Sequence, residues 1–525
     1  MSELYWRVNR RDVALSFGLI LALLLAFFLN PETIPAGNGF GYDGVMYARM
    51  VAEIDQMISS GQLSTYYSQR ILPSLLVRMG LQSLGLPLDS FRVIWGFRAL
   101  NVGLLLLSLP LWFAIAQRLK VSRAGYWLGI AGLFLAFPNA KQLFYYPVLT
   151  DTFAFAIGLA LLWSYLAGRP ALIALFSIVG AFAWQLAGLI GLLLVVSSLL
   201  RIDPESKPKA GLVRRPSGYA TGLVFLGVAC AAALVALLYP ADADIGPATV
   251  EATTPPETLK LVLTNLPILA LAVIFLARIC VLSWSGVWRP MLTRKRVVHV
   301  ALLVVAMLFV PKVVLGVISN DSIPPPGISG YGDTLEALLY LRVREGLFLL
   351  PVIAHSVYYG PIFILFVILW RKVAETAIEL GPGFAVAISL FVVLSVFSES
   401  RFSFMLWPFA VAAVVKAFSA SHVTRLMTGL VVITAVAYSK AWYRINQGEW
   451  QPPDHLALDQ WPKSAYFSHL GPWMSVEHYT AQCLVVGTLF FLFAVALRNA
   501  SGEKVEGYRV GLVAAMRSRF KARRW

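Results

Sequence analysis

The sequence predicts an all-α, polytopic integral membrane protein, and three observations predict it. Of 525 residues, 58% are hydrophobic and only 13% are charged, against about 25% charged in soluble domains. Mean hydropathy is +0.73. Apolar runs of the roughly 17–25 residues that a bilayer-crossing helix needs recur from one end of the chain to the other. The net charge of +16 sits mostly in short segments predicted on one side of the membrane. It therefore reads as orientation and points to no nucleic-acid partner. Cys230, Cys280 and Cys483 lie in or beside apolar runs with neither CxxC spacing nor a His pair nearby, which predicts no disulfide framework and no zinc site. P-loop and dinucleotide fingerprints are absent.

Taken in order, Arg7, Arg10 and Arg11 precede the apolar run 13–29. No small-residue cleavage site follows it, so the run reads as an uncleaved anchor crossing outward. Residues 30–90 then form the first outer loop. Within it, Val45, Met46, Met50, Val51, Ile54 and Ile58 recur at helical spacing, predicting an amphipathic helix over 43–59 on the membrane surface. The run 71–84 is apolar but short and reads as an interfacial or re-entrant helix. Runs 91–116, 124–137 and 152–166 cross in alternation.

The thirty-odd residues 171–199 carry Trp184-Gln185 at their middle. Crossing once, they would strand the following basic residues outside, so two short spans turning at Trp184-Gln185 fit the charge rule better. Further crossings are expected at 219–239, 261–284, 297–318, 347–370, 384–397, 402–418, 423–438 and 476–497. An acidic outer loop at 240–260 and outer loops at 319–345 and 440–475 separate some of them. The total is about fourteen spans in a single transmembrane domain, 1–525. Both termini are cytoplasmic, and a basic tail occupies 498–525. No internal repeat is visible, which disfavours a transporter built from inverted repeats.

On this topology Asp43, Gln69, Arg70, Asp151, Gln185, Glu399 and Arg401 all fall at the outer side. Ionisable groups near a membrane are costly and mark functional sites, but each residue has a plain reading as well. Asp43, between Gly41 and Gly44, is either the N-cap of the following helix or a general base that takes a proton from a hydroxyl. Its glycines would let a substrate approach the backbone. Gln69 and Arg70 either snorkel or hold phosphate, to which a guanidinium fork is matched. Arg401 carries the same two readings. Glu399 either pairs with Arg401 or supplies a second acid. Asp151 is an N-cap candidate, with Thr150, or a second acid. Tyr66, Tyr67, Tyr145 and Tyr146 fit an aromatic belt as well as a sugar platform. His355 reads as a bundle-facing, hydrogen-bonded histidine.

Together, Tyr42-Asp43-Gly44-x-x-Tyr47, Gln69-Arg70-Ile-Leu-Pro73, Ser398-Glu399-Ser-Arg401-Phe and the Trp407-Pro408 step resemble bacterial GT-C fold membrane glycosyltransferases. In that group an acidic residue lies in the first outer loop, where Asp43 stands. The resemblance covers the span pattern and three short motifs. The chain departs from it where several such families carry two adjacent acids, because Asp43 is followed by Gly44. A second acid would have to come from elsewhere, Asp151 or Glu399.

The resemblance implies a GT-C-like bundle with juxtamembrane helices on the outer face of a bacterial inner membrane. It implies inverting transfer of a sugar from a polyprenyl-phosphate carrier to a glycan or lipid acceptor. Asp43 would be the base, with Arg70 and Arg401, beside Gln69, on the phosphate. Tyr42, Tyr66, Tyr67 and Tyr146 would lie against the substrates. A divalent metal is compatible with such chemistry, but no carboxylate cluster points to one, and no other cofactor is expected. The rivals are a flippase or transporter of a lipid-linked or anionic substrate, and an O-antigen ligase- or polymerase-like envelope enzyme.

Overall fold

The computed structural model describes residues 10–29, 31–41, 43–202, 255–283, 288–290, 292–320, 322, 347–419, 425–446, 474, 476 and 478–499. The expected features at Tyr42, 219–239, 240–254, 323–346, 447–473 and 500–525 lie outside them. Six helical stretches among the described residues are long and apolar enough to cross a membrane: Arg10–Leu29, Ser90–Leu119, Asn265–Ser283, Arg294–Ile318, Ser400–Ser419 and His478–Asn499. Other expected crossings form shorter apolar helices, such as Asp151–Leu166 and Pro382–Leu394. Among the described residues the regular structure is helical apart from a three-residue antiparallel pairing of β1 (Leu200–Ile202) with β2 (Trp288–Pro290) and an isolated bridge between Ser64 and Asn320.

The anchor helix α1 (Arg10–Leu29) is fastened near its start. Buried Asp12 accepts from Arg123 Nε at 2.9 Å and from Trp127 Nε1 at 3.0 Å. The first loop holds a short 3₁₀ turn (Ala36–Gly39), α2 (Gly44–Ser59), α3 (Thr65–Ser68) and α4 (Ile71–Ser83). The helix predicted over 43–59 is present as α2, but its apolar stripe is covered by protein. Tyr47, Met50, Val51, Ile54 and Met57 are buried against α4 and the start of α5 (Ser90–Leu119), whereas Val45 is exposed. These residues form a second, smaller core beside the main one.

After α6 (Arg123–Phe134), a π-helical turn (Pro138–Gln142) and α7 (Leu143–Tyr145) lead into α8 (Asp151–Leu166). The turn expected at Trp184-Gln185 is observed. The segment folds as α9 (Pro170–Gly180) and α10 (Leu186–Ser197), two helices packed on each other. At 1.5 Å per residue, α9 is about 17 Å long, too short to cross a hydrocarbon core of about 30 Å. Its tip meets the first-loop helices instead, where Leu72 N–H donates to Phe182 O at 2.9 Å.

Later come α11 (Pro255–Ser283), α12 (Arg294–Ile318), α13 (Leu350–Tyr359), α14 (Pro361–Ile368), α15 (Trp370–Glu379) and α16 (Pro382–Leu394). The single span expected over 347–370 is broken. Gly360 takes φ 75° and Pro361 opens α14, and a proline supplies no N–H to continue the ladder. A 3₁₀ segment, Ser400–Leu406, runs into α17 (Trp407–Ser419), followed by α18 (Arg425–Ser439) and α19 (His478–Asn499).

Candidate functional site

The polar residues of the first loop, the 138–151 turn, the α9–α10 tip and the 395–401 loop gather at one end of the bundle. Asp43 occupies the position before α2, but its backbone is helical (φ −60°, ψ −28°) and its side chain makes no capping bond. An N-cap side chain reaches the N2 or N3 amide from an extended backbone, so capping does not explain this aspartate. Only its carbonyl is used, accepting from Met46 N–H at 3.2 Å and Tyr47 N–H at 3.4 Å. Among the described residues its half-exposed carboxylate has neither a hydrogen bond nor an ion pair.

The flanking glycines serve a different neighbour from the one their permissiveness suggested. A Cβ at Gly41, whose φ is +71°, would stand 2.2 Å from Tyr146 Cζ, and one at Gly44 would stand 2.7 Å from Val148 Cγ2. Gly44 N–H also donates to the Tyr146 hydroxyl at 3.3 Å. The glycines therefore admit Tyr146, which buttresses the loop that presents Asp43.

Arg70 is 8% exposed and stands on a platform of phenols. Its Nη1 donates to Tyr47 Oη at 2.9 Å and Tyr66 Oη at 2.6 Å, and the guanidinium lies 4.2 Å from the Tyr66 ring centroid and 5.6 Å from that of Trp184. Burial pushes the Tyr47 hydroxyl well above its usual range, against the opposing pull of Arg70, so it stays neutral. No carboxylate among the described residues pairs with Arg70, and its buried Nε has no partner.

Tyr67 is buried with its ring edge-on to Tyr47 and Tyr66, which removes it from any exposed platform. Gln69 ends α3, its N–H donating to Thr65 O at 3.2 Å, and is half-buried.

Arg401 does not pair with Glu399. It forms a fork on Asp151, Nε to Oδ1 at 2.9 Å and Nη2 to Oδ2 at 3.1 Å. Asp151 is only 5% exposed, and the fork brings the start of α8 against the 3₁₀ segment. Close helix packing makes this possible. A Cβ at Gly158 would meet Met405 O at 2.1 Å, an obstacle of backbone that cannot rotate away. Gly158→Ala is therefore expected to push α8 off the 400–406 segment and cost about 1–3 kcal/mol. Thermal unfolding in detergent checks it, and an unchanged midpoint refutes the packing account.

The loop before Arg401 is held from α13. His355 Nδ1 lies 2.8 Å from Ser400 Oγ and Nε2 3.0 Å from Ser395 O, as expected of a bundle-facing histidine. Tyr359 Oη donates to Ser400 O at 2.6 Å, and its ring stacks on Trp407 at 4.1 Å between centroids.

Glu399 is half-buried in this corner. Burial pushes its carboxyl up to about 7, Arg401 opposes that, and the negative charges of Asp151 and Asp43 add to it. Below about 4.5 Glu399 is protonated whether the chain is folded or unfolded. Between there and about 7 only the unfolded chain releases the proton, so this group's contribution to stability falls as pH rises through that window. Glu399→Gln is expected to flatten that decline when melting midpoints are compared from pH 4.5 to 8. A variant whose profile parallels wild type would show that Glu399 titrates normally.

Asp43 acts electrostatically on both Glu399 and Arg401, and Arg70 and Arg401 act on each other. Asp43, Arg70, Asp151, Glu399 and Arg401 thus form one electrostatic cluster. Among the described residues no group of three or more His, Cys, Asp or Glu side chains could hold a metal ion.

Sequence reasoning missed the knot beside the cluster. Lys141 Nζ lies 2.5 Å from Glu32 Oε2, while Glu32 Oε1 accepts from Ile445 and Asn446 N–H at 2.9 and 3.0 Å. Buried Arg98 donates to Glu32 O at 3.1 Å and to Thr33 Oγ1. The signal was present in α5, where Arg98, Asn101, Leu105, Ser108 and Trp112 recur at three- and four-residue spacing and are all buried. The sequence matches no protein-family model, and no significant match is found among curated proteins or solved structures.

Proposed function

We propose that the protein is an inverting membrane glycosyltransferase that moves a sugar from a polyprenyl-phosphate carrier to an acceptor hydroxyl at the outer membrane face. The observation that carries this reading is the division of labour among the charges. Asp151 has both carboxylate oxygens engaged by the Arg401 fork. Asp43 has no such partner, and a general base must have its lone pairs available to the hydroxyl it activates. Arg70 supports the anion side of the reaction, being a buried guanidinium that, among the described residues, has an unpartnered Nε and no ion pair with a carboxylate. As the bond to the sugar breaks, negative charge builds on the leaving phosphate, and a preorganised guanidinium stabilises it.

In this reading Arg70 is the phosphate ligand. Arg401, with Nε and Nη2 committed to Asp151, chiefly positions the cluster and offers Nη1 to the same anion. Gln69, Tyr66 and Tyr146 border the substrates. The bundle would be GT-C-like with about fourteen spans, in a bacterial inner membrane, with both termini cytoplasmic. A transporter would need polar groups along a path across the bilayer, whereas this cluster lies at one end of the bundle.

The test is sugar transfer by the purified, detergent-solubilised protein from a polyprenyl-phosphate-linked donor, comparing wild type with Asp43→Asn while donor binding and folding are followed in parallel. Transfer lost with binding retained supports the reading. Lipid binding or movement with no transfer in wild type overturns it.

A further inference from the structure

Asp43 stands where an aspartate ordinarily caps a helix, yet its carboxylate does not cap. A capping aspartate takes an extended backbone and bonds the second or third amide of the helix. Asp43 keeps a helical backbone, and Met46 N–H goes to the Asp43 carbonyl instead. The first amide of α2, that of Gly44, is satisfied from 102 residues away, by the Tyr146 hydroxyl at 3.3 Å. The far end of the same ring fills the space beside both glycines. Tyr146 Oη would stand 2.6 Å from a Cβ at Gly41, and Tyr146 Cε2 would stand 3.1 Å from one at Gly44. Tyr146 therefore bears on the chain on both sides of Asp43.

It can hold that loop because its own backbone is held. Buried Asn101 of α5 donates Nδ2 to Leu143 O at 3.1 Å and to Pro147 O at 2.8 Å, one on either side of Tyr146. Arg98 Nε, one turn earlier on α5, donates to Phe144 O at 3.3 Å. Tyr145 O accepts from Ile34 N–H at 2.8 Å, and Tyr146 N–H closes the turn on Gln142 O at 2.8 Å. The adjacent Tyr145 has a different task, donating its hydroxyl to Asn446 Oδ1 at 3.0 Å. The Tyr146 ring thus projects from a turn pinned to α5 onto the loop that carries Asp43.

We infer that Tyr146 is the positioning residue for Asp43: its ring and hydroxyl hold the loop in the helical form that keeps the carboxylate off the amides of α2 and free for the acceptor hydroxyl. Without the far end of the ring, the loop relaxes toward the extended backbone of an ordinary N-cap, and the glycines at 41 and 44 permit the swing. The carboxylate then turns onto Val45 or Met46 N–H. A carboxylate that accepts backbone N–H bonds holds a proton less tightly and has fewer lone pairs for a substrate. The other groups that act electrostatically with Asp43 are Tyr47, Tyr67, Glu399 and Arg401, and a substitution at Tyr146 alters none of them. The inference rests on the reading of Asp43 as the base.

The experiment labels the full chain in detergent with a diazoacetamide, which esterifies a protonated carboxyl, across the acid pH range. The Asp43 ester is read by peptide mass spectrometry, and kcat and KM for sugar transfer are measured alongside. Tyr146→Leu keeps bulk against the core and removes the ring atoms that reach Gly41 and Gly44. It is expected to lower the labelling midpoint of Asp43 by about one pH unit, the scale of one charged hydrogen bond. Its kcat should fall about 10–100-fold at unchanged KM, as when a reacting group is displaced by about 1 Å. Tyr146→Phe, which keeps the ring and loses the hydroxyl, should fall between Tyr146→Leu and wild type. An unmoved midpoint in Tyr146→Leu overturns the inference even if the melting temperature drops, because Tyr146 is then a packing residue only. A raised KM at unchanged kcat also overturns it, making Tyr146 a substrate contact. Should the Leu variant fail to fold, a lowered midpoint in Tyr146→Phe supports the inference and an unmoved one overturns it. Labelling requires no transfer, so a wild-type chain without transferase activity sinks the glycosyltransferase reading and leaves the shift standing. An active wild type with an unmoved midpoint in the variants sinks this inference alone.

Discussion

Asp43→Asn is expected to lower sugar transfer by about 10²–10⁴-fold, the usual contribution of a positioned general base, with donor binding and melting temperature close to wild type. The substitution preserves volume and removes only the ability to hold a proton. Stability should survive because the carboxylate makes no capping bond and no ion pair among the described residues. Asparagine is also as good as aspartate in the position before a helix. That equivalence makes the experiment decisive. Were Asp43 a turn residue, the asparagine variant would transfer sugar at the wild-type rate. Donor binding should hold or tighten slightly, since a negative charge near an anionic ligand has been removed.

Element positions were legible where apolar periodicity meets a physical stop. The turn at Trp184-Gln185 followed from the charge rule alone, and it is where α9 gives way to α10. A break after Tyr359 is encoded by Gly360-Pro361, a signal that the reading of a single apolar span over 347–370 left unused. The amphipathicity of α2 was legible but its partner was not. A stripe that suits a lipid surface also suits α4, and only tertiary contacts decide between them.

That Asp43, Arg70, Asp151, Glu399 and Arg401 gather at one end of the bundle was legible from the order of spans, but the pairing was not. Sequence proximity joined Glu399 to Arg401 two residues away, whereas the fork runs to Asp151, 250 residues distant. Two facts fix that choice, and neither has a local signature. Gly158 lets α8 touch the backbone of Met405, and His355 and Tyr359 hold the 395–403 loop from another helix. Arg98 and Glu32 escaped notice for a related reason. Their partners are backbone carbonyls, amides and a lysine brought in from residues 141–144 and 445–446.

Asp151→Asn is expected to damage both stability and transfer, through charge and not through loss of volume. Removing one partner of a buried ion pair costs about 3–5 kcal/mol, because the other charge is left uncompensated. Here the loss should fall toward the lower end of that range, since the Arg401 side chain is 24% exposed and reaches some solvent. The stranded guanidinium has two other carboxylates within electrostatic range, Glu399 and Asp43. If it turns to Asp43, the proposed base acquires the partner that it lacks among the described residues, and transfer falls although Asp43 itself is intact.

Arg401→Leu should behave differently. It leaves Asp151 buried without its cation, so stability falls, but it gives Asp43 no new partner. Melting temperature and transfer rate for the two single variants and the double variant Asp151→Asn/Arg401→Leu separate these effects. A double variant more stable than either single one, with transfer partly recovered over Asp151→Asn, is the expected pattern for a pair whose task is to keep Arg401 away from the base. Strictly additive losses in both readouts would mean that the fork and Asp43 act independently, and that the part of Arg401 in transfer is its Nη1 contact with the anion and not the positioning of the cluster.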